Sequence, residues 1–151
     1  MTERKDILQN GSVVALLAGL WRGIKSELDA AAHELAPDLR PSHVRLLSLT
    51  PRDGMRVGDL AARAGMTAQS LGEFVDTLCR TGYARVVPDA SDRRARLVVP
   101  TERGRDVAHA MNTLVHELED RWRQEIGGRD WELFRGVLIK LHSPARAITS
   151  Q

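Results

Sequence analysis

The sequence predicts a mainly α-helical protein with a small β-hairpin. Over most of the 151 residues, apolar side chains recur every three or four positions, which is the spacing of one helix face. Two short runs, residues 84–88 and 96–99, are instead rich in Val and Arg and flank a charged loop, as in a hairpin. Gly or Pro residues separate the segments, which favours several short elements over one continuous helix.

A long first helix is predicted over residues 6–36. A glycine weakens its first turns, up to Ser12, so a later start is also compatible with the pattern. Pro37 ends the helix, because the residue before a proline avoids the helical conformation. Pro41 then suits the first turn of a short helix over residues 42–49.

Two more helices follow a turn at residues 51–54. The first covers residues 57–64 and is closed by Gly65, a plausible C-cap. Thr67 is a plausible N-cap for the second helix, which runs to about Arg80. The expected buried face of that second helix consists of Leu71, Phe74, Val75, Leu78 and Cys79.

Beyond residue 82 the pattern changes to a hairpin and then returns to helices. The strands 84–88 and 96–99 enclose a polar loop, so the middle of the chain is a helix-turn-helix followed by a two-stranded wing. Thr101 can cap a second long helix, which residues 127–128 end. A last helix is predicted over residues 130–141, and the tail lacks a core pattern.

Composition excludes several classes of protein. No stretch approaches the roughly 20 apolar residues of a membrane span, and the N-terminal residues lack the organisation of a signal peptide, so we expect a cytoplasmic protein without a membrane partner. Aromatic residues make up only 4%, which argues against a stacking platform for single-stranded nucleic acid. No phosphate-binding glycine loop, nucleophile elbow or zinc-protease motif is present, so no enzyme, cofactor or metal site is predicted.

Charge and cysteine content point to a local binding surface in a reduced environment. The net charge is only +2, but residues 80–106 carry seven Arg and four acidic residues. This uneven distribution indicates an anionic partner at one place, although a solvated surface explains it too. The single cysteine, Cys79, excludes an intrachain disulfide. On the apolar helix face it is either a buried structural thiol or a redox switch.

Three motifs in the middle of the chain carry a family resemblance. The wing and the following helix contain Asp89-x-x-Asp92-Arg93-Arg94-x-x-Leu97-x-x-x-Thr101-x-x-Gly104. Upstream lie Leu60-Ala61-x-x-x-Gly65-Met66-Thr67 and Val75-Asp76-x-Leu78-x-x-x-Gly82-Tyr83. Together they resemble the MarR (multiple-antibiotic-resistance regulator) family over about residues 7–141. The resemblance implies a homodimeric winged-helix transcription regulator whose recognition helices enter successive major grooves and whose wings reach the flanking minor grooves.

The residues themselves suggest which side chains contact double-stranded DNA. The exposed face of the helix after Thr67 would meet base edges with its N-terminal residues, while Thr67 and Ser70 would donate to phosphates. Arg94, near the loop tip, is the best candidate for a narrow minor groove, and Asp92 would orient Arg94 or Arg93. The complete predicted contact set is Thr67, Ala68, Gln69, Ser70, Gly72, Glu73, Asp92, Arg93, Arg94 and Arg96.

The recognition helix departs from the family pattern, which commonly has Ser, Thr and Arg at these positions. Gly72 weakens the helix but allows close approach to DNA. Glu73 is unfavourable near phosphates unless it accepts from a cytosine amino group, and Gln69 can pair with adenine. We hypothesise that Glu73 and Gln69 set an unusual operator preference. The alternative is that Glu73 points to solvent or pairs with Arg80.

The resemblance also implies a small, often aromatic and anionic, effector between the dimer helices and the winged helix. Trp21, Lys25, His43 and Arg45 would supply an aromatic wall and cations there, or else Trp21 belongs to a dimer core and the others to the surface. Ligand binding would shift the spacing of the recognition helices away from the half-site repeat.

These expectations define two regions and one function. Residues 1–36 and 101–151 form a helical dimerisation region, because their apolar stripes exceed what the middle module can cover. Residues 37–100 form the winged helix-turn-helix. The predicted function is a sequence-specific, ligand-responsive repressor that binds a pseudo-palindromic operator as a homodimer. The alternative is a ligand-binding or protein-binding helical dimer that has lost operator binding.

Overall fold

The computed structural model of the protein describes residues 11–92 and 94–142. Within these residues the chain forms six helices and a three-stranded antiparallel sheet, which confirms the predicted mainly α class with a small β-hairpin. No helix in this part of the chain is both long and apolar enough to cross a membrane. In chain order the elements are α1 Val13–Leu35, α2 Pro41–Leu49, β1 Met55–Arg56, α3 Val57–Ala64, α4 Ala68–Arg80, β2 Ala84–Pro88, β3 Arg96–Pro100, α5 Glu102–Ile126 and α6 Gly128–His142.

The first long helix starts at the later of the two expected positions. The Ser12 hydroxyl accepts a hydrogen bond from the amide of Ala15 at 3.3 Å and so caps α1 at Val13. A serine at this position satisfies an amide that the helix leaves without a partner. The predicted turns over residues 6–10, like the tail over residues 143–151, lie outside the described residues. At the start of α2, Pro41 occupies the first turn as predicted.

The helix-turn-helix forms as the capping residues predict. Gly65 ends α3 in the left-handed conformation, with φ of 65°, which glycine adopts without strain. Thr67 begins α4, because its hydroxyl accepts from the amide of Ser70 at 3.1 Å. The inner face of α4 buries Leu71, Val75 and Leu78, three of the five apolar residues predicted for it. The other two, Phe74 and Cys79, are partly buried beside the same core.

The hairpin is confirmed and has a third strand that the sequence analysis missed. β2 pairs with β3 from Ala84 opposite Pro100 to Pro88 opposite Arg96, and β1 pairs with the other edge of β3. A strand of two residues is too short to show the alternation that predicts a strand. Gly54, just before β1, has a φ of 93°, and a Cβ there would lie 2.9 Å from the Val98 carbonyl oxygen. The predicted turn at residues 51–54 therefore also brings β1 onto the sheet.

The chain divides into two compact units, one ending at Thr113 and one beginning at Leu114. The first unit has a continuous apolar core to which α1, α2, α3, α4, the sheet and the first turns of α5 contribute. Its most buried large side chains are Tyr83, Leu46, Leu47, Leu60, Leu71, Leu78, Val44 and Val98. Gly104 lies against this core so closely that a Cβ would sit 1.9 Å from the Tyr83 carbonyl oxygen.

The second unit contains the rest of α5 and the whole of α6. Gly127 alone separates the two helices, with a φ of 86°, so α6 begins at Gly128 rather than at the predicted Asp130. Trp131 lies between Trp122 and Phe134, with ring centroids 6.4 and 6.2 Å away. No residue of α6 is buried, and its exposed large apolar residues are Leu133, Val137, Leu138, Ile139 and Leu141.

Candidate nucleic-acid interface

The outer face of α4 is a continuous exposed surface. Ala68, Gln69, Ser70 and Glu73 are exposed, and Gly72 between them has no atom within 4 Å of the position that a Cβ would take. The opposite face is held in the core, so α4 presents this surface from a fixed support. The structure therefore brings the predicted contacts of the recognition helix together.

The hydroxyls of Thr67 and Ser70, at the start of α4, form different hydrogen bonds. The Thr67 hydroxyl accepts from the Ser70 amide and donates its own hydrogen to the Ser70 hydroxyl oxygen at 3.0 Å. Thr67 thus has partners inside the protein at its hydroxyl, and its predicted contact with a phosphate stays a prediction. Ser70 keeps its hydroxyl hydrogen for an outside acceptor, beside a helix N-terminus whose dipole favours anions.

Glu73 does not pair with Arg80, which was one of the two alternatives for it. Arg80 Nη2 instead donates to the Thr77 hydroxyl at 3.2 Å, and that hydroxyl donates to the Glu73 carbonyl oxygen at 3.1 Å. In residues 11–92 and 94–142, no ion pair involves the Glu73 carboxylate. It faces outward with its acceptor oxygens available.

The wing loop is shaped by Asp92 in a different way from the predicted one. The carboxylate of Asp92 accepts from the backbone amide of Arg94 at 3.0 Å, and its carbonyl accepts from Ala95 at 2.8 Å. Among the described residues no ion pair joins Asp92 to Arg94, and the carboxylate instead shapes a local turn; its predicted role toward Arg93 stays a prediction. Arg94 and Arg96 are exposed on the hairpin, and Arg93 lies outside the described residues.

The root of the wing contains an ion pair that the sequence analysis missed. Asp89 Oδ2 accepts from Arg56 Nε at 2.8 Å and lies 2.7 Å from Arg56 Nη2, while Oδ1 accepts from the amide and hydroxyl of Ser91, each at 2.8 Å. The hydrogen bonds from Ser91 and Arg56 lower the pKa of Asp89 to about 2. The Asp-x-Ser sequence is itself a turn signal, whereas a partner 33 residues away leaves no local pattern. The pair ties the wing to the strand before α3.

Among residues 11–92 and 94–142, the four predicted effector residues lie in different surroundings. Trp21 is 52% exposed, and Lys25 pairs with Asp29 one turn along α1. Arg45 borders a cavity of about 130 Å³ that Trp21, Lys25 and His43 do not line. The other lining residues of that cavity are Ser42, Leu46, Leu49, Ala64, Met66 and Phe74.

His43 is a packing residue of the first unit rather than a surface residue. It is 8% exposed, and its ring centroid lies 4.6 Å from that of Phe74 on α4. Burial, together with the positive charge of Arg40, lowers the pKa of His43. The interpretation of His43 as a surface residue is therefore wrong, whereas its predicted effector contact stays a prediction.

Cys79 occupies the partly buried position that a structural thiol would take. Burial, reinforced by the negative charge of Asp76, raises the pKa of its thiol. A raised pKa disfavours the thiolate that a redox switch needs, so the geometry favours the structural alternative. Among the described residues, no group of three His, Cys, Asp or Glu side chains is placed to hold a metal ion.

The helix pair α3–α4, joined by a glycine-capped turn and followed by the β2–β3 wing, defines a winged helix-turn-helix protein. Residues 38–95, which contain this module, match the model of the MarR family. Over this region the chain is similar to the MarR family, and the resemblance found in its motifs is confirmed.

A curated relative and two solved structures are similar to this chain. The transcriptional activatory protein BadR of Rhodopseudomonas palustris is 45% identical over 58 residues, which span 38% of this chain and 33% of BadR. CouR from Rhodococcus jostii RHA1, solved with p-coumaroyl-CoA, has a TM-score of 0.64 and 23% identity, covering 85% of this chain and 92% of CouR. A complex of S. aureus MepR with DNA has a TM-score of 0.64 and 21% identity, covering 83% and 96%. At these identities the two structures establish the fold alone.

Proposed function

We propose that the protein is a transcription regulator that binds double-stranded DNA sequence-specifically as a homodimer. The observation that carries the proposal is the exposed outer face of α4, held rigidly by its buried inner face and followed by a hairpin with exposed Arg94 and Arg96. The family match supports it, since BadR is named as a transcriptional regulator and MepR was solved with DNA. The family is one of regulators rather than enzymes.

In this proposal the outer face of α4 recognises the DNA sequence in the major groove. Gln69 pairs with adenine, and Glu73 accepts from a cytosine amino group, which compensates for its repulsion from phosphates. Gly72 lets the backbone come close to the groove, and Ser70 donates to a phosphate. Arg94, in the loop of the wing, enters the neighbouring minor groove.

The dimer is proposed because the chain leaves long apolar faces without cover. Val13, Val14 and Trp21 on α1 are exposed, as are Leu133 and Val137 on α6. Surfaces of this kind mark interfaces, and a second copy supplies the same surface in return. In this arrangement residues 1–36 and 101–151 form the dimerisation region and residues 37–100 bind DNA. Two recognition helices then meet half-sites about 34 Å apart in a pseudo-palindromic operator.

In this proposal the protein acts in the cytoplasm as a repressor, and binding of an effector releases it from the operator. A dimer seated on its operator excludes other proteins from the same DNA. The name of BadR as an activatory protein makes activation the second mode, which a reporter gene distinguishes by its sign. CouR was solved with p-coumaroyl-CoA, which supports an aromatic, anionic effector class for this chain. Trp21, Lys25, His43 and Arg45 remain its candidate contacts, and His43 also packs against Phe74.

The test selects the operator from random double-stranded DNA and measures affinity by fluorescence anisotropy over a salt series. We expect tight binding that random DNA does not displace and that weakens steeply as salt rises. Arg94→Ala should lower the salt slope by about one, because one phosphate-neutralising contact is lost. Arg129→Ala, an exposed arginine on α6, is the matched control.

The alternative is a ligand-binding or protein-binding dimer that has lost operator binding, and the outward carboxylate of Glu73 favours it. Under that alternative, selection enriches no sequence and wild type binds all DNA equally weakly. Glu73→Ala then separates the two roles of this residue. A changed preferred sequence supports base reading by Glu73, and an identical one contradicts it.

A further inference from the structure

Three side chains from three separate segments meet at the C-terminal end of α4. Tyr83 Oη donates to Asp38 Oδ1 at 2.6 Å, and Arg103 Nη2 lies 3.2 Å from Asp38 Oδ2. The Arg103 guanidinium carbon also stacks 4.0 Å from the centre of the Tyr83 ring. Asp38 belongs to the turn between α1 and α2, Tyr83 follows α4, and Arg103 lies in the first turn of α5. We call this set the Arg103 junction.

The junction is attached to the backbone at the end of α4. Arg103 Nη1 donates to the Thr81 carbonyl oxygen at 3.0 Å, and the Tyr83 amide donates to the Leu78 carbonyl oxygen at 2.8 Å. Thr101 strengthens the same connection, since its hydroxyl donates to the Gly82 carbonyl oxygen at 2.7 Å. The residues that directly follow α4 are therefore hydrogen-bonded to Thr101 and Arg103 at the start of α5.

The Arg103 guanidinium is exposed, with 56% of its side-chain surface accessible, but it is bonded to the chain's own groups and lies far from the predicted base contacts of α4. Both of its terminal nitrogens have protein partners, and its face covers an aromatic ring. The 13 residues of α4 separate it from Ala68 by about 20 Å of helix. This distance separates Arg103 from the base contacts proposed for the start of α4.

We propose that Arg103, with Asp38 and Tyr83, is a positioning residue that sets operator specificity without contacting the bases. The inference rests on the proposed DNA-binding function. Hydrogen bonds to base edges require the recognition helix in one orientation, whereas attraction to phosphates tolerates a looser helix. Fixing α4 at its far end therefore raises operator affinity more than affinity for random DNA.

The experiment compares Asp38→Asn and Arg103→Lys with wild type, on the operator selected by wild type and on random DNA. Glu34→Gln, an exposed carboxylate at the end of α1, is the charge-matched control. Asp38→Asn is informative because two explanations predict opposite signs. Removal of a negative charge alone strengthens DNA binding, whereas loss of the junction weakens operator binding about five- to tenfold and leaves random DNA unchanged. The control should keep the wild-type ratio of the two affinities.

Arg103→Lys separates positioning from a phosphate contact. Lysine keeps the charge but not the planar fork or the stacking, so we expect the same loss of specificity with an unchanged salt slope. A merely structural effect lowers the folded fraction and reduces both affinities equally, which leaves their ratio constant. An unchanged ratio in both variants, or tighter operator binding by Asp38→Asn, overturns the inference. Failure of wild type to select any operator overturns the proposed function instead.

Discussion

The two units of the chain have similar apolar periodicity but bury it very differently. In the first unit α4 places Leu71 and Leu78 at 0% exposure, inside a core that the same chain completes. In the second unit α6 carries apolar residues at the same helical spacing, yet Leu133 is 69% exposed and Val137 47%. Periodicity therefore predicts that a helix has an apolar face, but it does not predict whether other residues of the same chain cover that face.

A single helix of the first unit shows the same contrast along its length. Ala32, near the end of α1, is buried in the core, whereas Val13 and Val14 at its start are 68% and 74% exposed. The second unit and the start of α1 thus leave apolar area uncovered. The first unit therefore completes its own core, whereas the start of α1 and the helix α6 expose the apolar faces that the proposed dimer would cover.

The largest effect is expected from disrupting the proposed dimer interface on α6. The double variant Leu133→Glu/Leu141→Glu places two charges on the exposed face of α6, where burial of an unpaired charge is costly. We expect a monomer in analytical ultracentrifugation and an operator affinity lower by about 100-fold, since each chain then holds one half-site without avidity. Arg135→Glu, at another exposed position on α6, is the control. A double variant that remains dimeric contradicts the assignment of this face.

The next prediction tests how closely Gly104 packs against the core of the first unit. Gly104→Ala places a methyl group against the Tyr83 carbonyl oxygen, and we expect the free energy of unfolding to fall by roughly 1–3 kcal/mol. Gly72→Ala is the matched control in α4, where a Cβ meets no atom within 4 Å, and it should raise this free energy by up to about 1 kcal/mol. Urea unfolding measures both, and equal changes would contradict the described packing.

His43 should make the stability of the first unit sensitive to pH. Burial lowers the pKa of His43 below its ordinary value of 6.5, so folding favours the neutral ring. The contribution is complete above about pH 6.5 and is lost as the pH falls further, because the unfolded chain then binds the proton more strongly. His43→Leu should flatten this dependence when urea unfolding is compared at pH 7.5 and 5.5. A variant with the wild-type slope would assign the dependence to another group.

The smallest effect concerns the ion pair at the root of the wing. The pKa of Asp89 is lowered to about 2, so its contribution to stability is present above pH 3.8 and is lost as the pH falls toward 2. Asp89→Asn should lower the melting temperature slightly at pH 7 and remove that part of the acid dependence. The effect is small because Arg56 is partly exposed to water. Equal melting curves at pH 7 would argue against a stabilising pair.

The sequence predicts the elements with local signals and misses the contacts between distant residues. Thr67, Gly65 and the spacing of Leu71, Val75 and Leu78 determine α4 within about 15 residues, so this helix and its exposed face are predicted correctly. In contrast, Asp38 meets Tyr83 across 45 residues and Arg56 meets Asp89 across 33. Such pairs leave no periodic pattern in the chain.

Other misses have the same physical origin. β1 has two residues and exists because β3 offers it a free edge. His43 on α2 is buried because Phe74 of α4 packs against its ring, which its own polarity does not suggest. The backbone bond from the Arg94 amide to the Asp92 carboxylate also has no pattern in the sequence, because it depends on the geometry of the loop.

Residues on the outer face of α4 can change without affecting the fold. Gly72 has open space around it, and the side chains of Gln69 and Glu73 are exposed, while the buried residues that hold the helix occupy other positions. Substitutions on this face are therefore nearly neutral for folding and can accumulate in descendants of the gene. New DNA targets can be acquired one residue at a time by such a helix, and a laboratory library restricted to positions 68, 69, 72 and 73 would explore the same variation on an intact scaffold.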